Sequence, residues 1–145
     1  MNNGGKMMDT TKEYIKMCEK ATEIQELANR EVYDSTDFFY GKLSQENTSV
    51  WVVGQAEDCG RCLKPYREAL PDAVWLPRQD QLQEMLPGWK EMRGYVPLFA
   101  DMIANFAHNN GYYAFSFGTF EQTLLALVML MAYHKRWYKG NWVSV

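Results

Sequence analysis

Ten uninterrupted apolar residues, Leu124 to Tyr133, close the segment Phe-Glu-Gln-Thr-Leu-Leu-Ala-Leu-Val-Met-Leu-Met-Ala-Tyr that begins at Phe120. A run that apolar must be hidden from water. Ten residues is half of the roughly 20 that a bilayer-crossing helix needs, so the segment reads as a helix buried in a protein core. Both of its ends are marked. Thr119 is placed to cap the N–H of Gln122, whose side chain can reach back as in a capping box. His134, Lys135 and Arg136 come after the last turn, where the helix dipole favours cations.

The chain of 145 residues is long enough for one substantial core. Hydrophobic residues make up 47% and 21 are aromatic, which excludes a globally disordered chain. The net charge of −3 gives no general attraction to nucleic acid or anionic lipid. Its distribution is uneven, because no carboxylate follows Glu121 while Lys135, Arg136 and Lys139 do. Residues 1–9 read as a loose tail and 10–145 as a single domain. Three cysteines without a signal peptide point to a reducing cytosol more than to a secreted disulfide scaffold.

In chain order, Tyr14, Met17, Cys18, Ala21, Ile24 and Ala28 form one apolar face of a helix from Thr11 to Ala28, with a capping box at Thr10 and Glu13. Strands are expected at Phe38–Tyr40, ended by Gly41, at Val50–Val53 after a polar loop from Ser44 to Ser49, and at Ala73–Leu76. A short helix is expected over Pro65–Leu70. Pro77 opens another that runs to Leu86. Gly88–Gly94 reads as a loop. Pro97 starts an amphipathic helix ending at Asn109-Asn110-Gly111. Alternation predicts a strand over Tyr112–Phe117, and Trp137–Val143 a tight hairpin-like turn. Helices and strands mix without a βαβ rhythm. The expected class is α+β, a short mixed or antiparallel sheet packed against a central C-terminal helix and an N-terminal helix.

Three motifs could carry chemistry. Cys59-x-x-Cys62 follows a strand and precedes a helix, the setting of a thiol–disulfide redox pair. Against this, Glu57 and Asp58 would raise a thiolate pKa, and no thioredoxin-style proline dipeptide occurs downstream. The same cysteines hold the spacing of half a zinc site. Completing it would need Cys18, His108 or His134, all isolated in sequence. The tail Lys135 to Trp142 alternates bases with aromatics, as single-strand nucleic-acid binders do. Three cations supply little phosphate affinity, and the favoured reading is that Trp137 and Trp142 cover the end of the core while the lysines keep the tail soluble. No P-loop, dinucleotide fingerprint, zincin or nucleophile-elbow motif occurs. A metal, a cofactor and a catalytic set are therefore not expected.

Trp75 to Met85, Phe120-Glu121-Gln122 with its apolar helix, Lys135-Arg136-Trp137 with Gly140-Asn141-Trp142, and Tyr14 to Cys18 with Ile24-Gln25 together resemble small hypothetical proteins of phages and prophages of Gram-positive bacteria. The resemblance implies a cytoplasmic protein without assigned activity. It directs attention to the Pro77–Met85 helix. Its Arg78, Gln79, Gln81 and Gln83 offer donors and acceptors at little desolvation cost, with Trp75 beside them as core anchor or interface residue. The expected role is a non-catalytic accessory one: binding a host or phage protein, or a second copy, through Trp75, Arg78, Gln79, Gln81, Gln83, Trp137 and Trp142.

Overall fold

Thr11, one residue later than expected, caps the first helix: its hydroxyl accepts the N–H of Tyr14 at 3.2 Å. This computed structural model describes residues 8–27, 37–42, 48–52, 72–92 and 96–145. Cys59, Cys62 and the helix expected over Pro65–Leu70 lie outside the described residues. The fold is α+β, with two small antiparallel sheets. Contacts within the chain cluster in two compact units, Thr10–Arg78 and a second that joins Asp9 to Gln79–Val145. Each has its own architecture.

In the first unit, α1 (Lys12–Lys20) and α2 (Thr22–Leu27) replace the single helix expected over Thr11–Ala28. The chain breaks at Ala21, whose φ of −87° and ψ of 79° leave the helical region. Neither glycine nor proline marks this break, and local bonds make it cheap. The Ala21 N–H donates to the Cys18 carbonyl, and the Ala21 carbonyl accepts from Ile24 and Gln25. Tyr14, Met17, Cys18, Ala21 and Ile24 are all fully buried, as their spacing requires.

The sheet has the order β2-β1-β3, with β1 Phe38–Lys42, β2 Thr48–Val52 and β3 Val74–Leu76. Register sets Phe39 opposite Trp51 on one side and Trp75 on the other. Gly41 does not end β1 but continues it, and Thr48 and Ser49 belong to β2 and not to a loop. A side chain at position 41 would crowd the chain just before β3, since its Cβ would lie 3.1 Å from the Ala73 Cα and that backbone would have to give by a few tenths of an ångström.

Strand β3 lies at the edge of the sheet, where unpaired backbone groups invite strand addition. Here a side chain stands in for the missing neighbour. The Gln25 carboxamide accepts the Trp75 N–H at 2.9 Å and donates to the Trp75 carbonyl at 3.0 Å, as a peptide group would. Its nitrogen also reaches the Cys18 carbonyl at 3.0 Å, which accepts the Ala21 N–H as well. Two residues on, the Tyr14 hydroxyl donates to the Pro77 carbonyl at 2.6 Å. Replacing Gln25 with alanine strips Trp75 of both bonds, and about 2–3 kcal/mol of stability is expected to go with them. Urea unfolding checks this, and Gln25→Glu, which keeps the acceptor but loses the donor, should recover only part.

In the second unit, α3 (Gln79–Glu84) starts two residues after Pro77, whose carbonyl is already engaged by Tyr14. Leu82 and Leu86 are buried. Gly88, at φ 80°, turns the chain into α4 (Trp89–Met92), a helical turn where a loop was expected. Helix α5 spans Val96–Phe115 and α6 spans Phe120–Tyr133, the latter capped by the Thr119 hydroxyl on Gln122 N at 3.2 Å. Leu124 to Met129 are buried without interruption, as the apolar run demands. His134 ends α6 in the left-handed region at φ 56°. Strands β4 (Lys135–Tyr138) and β5 (Asn141–Ser144) then form the C-terminal hairpin. Its turn residues Lys139 and Gly140 have φ of 51° and 82°, the signs a type I′ turn requires. Helix α6 packs against α3, α5 and β4, as the hub of this unit.

Candidate interaction surface on α5 and α6

The surface of interest begins with how α6 is held. Asp9 is buried and accepts hydrogen bonds from the Thr119 hydroxyl and, at 3.1 Å, from the Gln122 carboxamide. The Gln122 side-chain oxygen Oε1 accepts the Gly118 N–H at 3.1 Å. Beside them, Gln79 donates to the buried Glu121 carboxylate at 3.2 Å. The positive end of the helix dipole suits both carboxylates. A residue 110 positions upstream thus completes the cap, and the start of α6 is fixed.

Burial falls off at the other end, where Leu130 is half-buried and Met131 is 37% exposed. Opposite them on α5, Leu98, Met102 and Phe106 recur every fourth residue and so share a face. With Leu127, Leu130 and Met131 they form an open apolar groove of about 440 Å³. Its rim is polar: Asp101, Asn105, Asn109 and Asn110. The Asn110 amide donates to the Phe106 carbonyl at 3.1 Å.

At Gly111 the helix breaks, with φ 31° and ψ −113°. The sequence places the helix end here correctly. Beyond it, Tyr112–Phe115 form a helical turn and not the expected strand. In a helix, residues three apart share a side, so Tyr112 and Phe115 project together. They are 97% and 76% exposed. Tyr113 between them is pinned. Its hydroxyl accepts the Trp137 N–H at 2.8 Å, the Arg136 guanidinium lies 4.3 Å above its ring, and Phe106 and Phe117 meet it edge-on. The two exposed rings are therefore held on a rigid base. Between Leu98–Phe115 and Phe120–Tyr133 the helix axes turn through 116°.

Burial pushes the Tyr113 hydroxyl above its ordinary value of 10.0, opposed by the Trp137 N–H and by Arg136. As pH rises past 10 the unfolded chain loses this proton before the folded one does, so folding loses stability there. Tyr113→Phe should flatten that alkaline decline in a pH series of urea midpoints.

The sequence-derived candidates sit elsewhere. Trp75 is 2% exposed in the core of the first unit. Arg78 forms an ion pair with Asp37, whose side chain is 1% exposed, at 3.3 Å. Gln79 is bonded to Glu121, while Gln81 and Gln83 are half-buried. Trp137 and Trp142 meet across the hairpin with ring centres 4.9 Å apart and planes tilted by 57°. Arg136 is engaged over Tyr113 and Lys139 over Tyr138. Sequence reasoning missed Leu98, Tyr112, Phe115 and Met131 as a surface. The signal lay in the i, i+3 spacing of Tyr112 and Phe115, which the alternation of Tyr113, Phe115 and Phe117 masked.

No family model, curated protein or solved structure matches this chain. Among the described residues, no group of three or more His, Cys, Asp or Glu is placed to hold a metal ion. No single helix among them is long and apolar enough to cross a membrane.

Proposed function

We propose that this chain is a non-catalytic accessory protein that acts by binding another protein through the α5–α6 face. One observation carries the reading: Tyr112 and Phe115 are presented to solvent on a turn that Tyr113 holds rigid, beside an apolar groove. Exposing two aromatic rings is unfavourable, and pre-ordering them lowers the entropy lost when a partner covers them. Aromatic and methionine side chains inside a polar rim also match the make-up of protein interfaces. Helix α3 suits the role less well, because Arg78 and Gln79 already hold partners within their own units. The resemblance to phage and prophage proteins is the ground for placing the protein in a bacterial cytoplasm.

The test compares proteins co-purifying with the wild type and with Phe115→Asp, from the cells in which it is made. The proposal expects a stoichiometric companion, a different protein or a second copy, that the variant loses while its thermal unfolding is unchanged. A companion retained by Phe115→Asp, or none at all, would count against it.

A further inference from the structure

We infer that one face of the C-terminal hairpin binds single-stranded nucleic acid, stacking a base on Tyr138 and meeting the neighbouring phosphates with Arg136 and Lys139. That face is separate from the α5–α6 groove, and the protein-binding reading stands whether or not the hairpin is so used. Register sets the two faces. Trp137 lies opposite Trp142, Tyr138 opposite Asn141 and Arg136 opposite Val143. Side chains alternate along a strand, so the tryptophan pair occupies one face and Arg136, Tyr138, Asn141 and Val143 the other. Tyr138 is 58% exposed, and none of residues 135–144 is buried. A two-stranded ribbon is marginal by itself, and this one is tethered where the Trp137 N–H donates to the Tyr113 hydroxyl.

The charges on that face suit a polyanion. Arg136 lies over the Tyr113 ring and Lys139 over that of Tyr138 at 5.3 Å, and neither forms an ion pair among the described residues. No carboxylate side chain follows Glu121. Glu121 sits at the far end of α6, about 20 Å from the hairpin and more than twice the reach of a charge in physiological salt. Lys139 holds φ 51°, in a turn where asparagine or glycine is the ordinary choice. A cation therefore stands at the tip despite the backbone strain. A ring flanked by two cations offers stacking and charge together, the pairing by which single strands are held. Paired bases hide their faces, so a duplex has nothing to lay on Tyr138. Anionic lipid suits the hairpin less well, because the tip that would enter a bilayer first is Lys139-Gly140 and not an apolar ring.

Fluorescence anisotropy of labelled oligo-dT and oligo-U, about 12 nucleotides long, tests this on the full chain. Binding to one or both is expected at low salt, and the two arms show whether DNA or RNA is preferred. It should weaken with a log–log salt slope of about −1.4, two phosphate contacts at roughly 0.7 each. Tyr138→Ala should weaken binding about tenfold and leave the slope unchanged. Lys139→Asn should bring the slope to about −0.7. The same variant should unfold no earlier than the wild type on heating, since Asn-Gly is the pair that a type I′ turn prefers. No binding to either oligomer overturns the inference, as does a Tyr138→Ala protein that binds as well as the wild type. Equal binding of a duplex, displacement of the oligomer by polyglutamate charge for charge, or capture by phosphatidylglycerol vesicles in place of the oligomers would overturn it too.

Discussion

Replacing Trp75 with alanine is expected to lower stability by about 3–5 kcal/mol, a large share of the roughly 5–15 kcal/mol that holds an ordinary domain folded. The ring is buried, its backbone N–H and carbonyl are both bonded to the Gln25 carboxamide, and it is paired with Phe39 across the ladder. Deletion removes the apolar area and leaves a cavity that a three-stranded sheet cannot close by collapse. Urea unfolding followed by circular dichroism measures the loss. Had Trp75 been an interface residue, the same substitution would shift the midpoint by little and cost binding instead.

Leu125→Ala should remove about 2–5 kcal/mol. Leu125 is fully buried in the middle of α6, within the uninterrupted buried run from Leu124 to Met129. Six residues on, Met131→Ala should change stability by no more than about 0.5 kcal/mol, because that side chain is partly in water at the open end of the groove. The pair of measurements separates the part of α6 that is scaffold from the part that is surface. Equal losses at both positions would mean that the groove is core.

Local chemistry was legible in the sequence. Thr119 and the apolar run define α6, Gly111 ends the first part of α5, and Lys139-Gly140 between aromatics gives the hairpin. The features that were not legible depend on residues far apart. Ala21 breaks a helix that its neighbours alone would continue, because Gln25 has β3 to meet. Asp9, assigned to a loose tail, caps a helix 110 residues away. Arg78 looked like a free donor until Asp37, 41 residues earlier, took it up. The candidate site was misplaced for a related reason. Tryptophan is enriched both in cores and in interfaces, and composition cannot separate the two. The exposed rings of Tyr112 and Phe115 became visible only once the segment proved to be a helical turn, held by a tyrosine whose partners lie on the hairpin.

The most direct test of the protein-binding claim is photo-cross-linking in living cells, with a photoreactive phenylalanine placed in turn at positions 115, 131 and 143. One discrete protein adduct is expected from positions 115 and 131 and none from 143, with twice the chain mass if the partner is a second copy. Adducts from 143 alone, or none from 115 and 131, would contradict the claim.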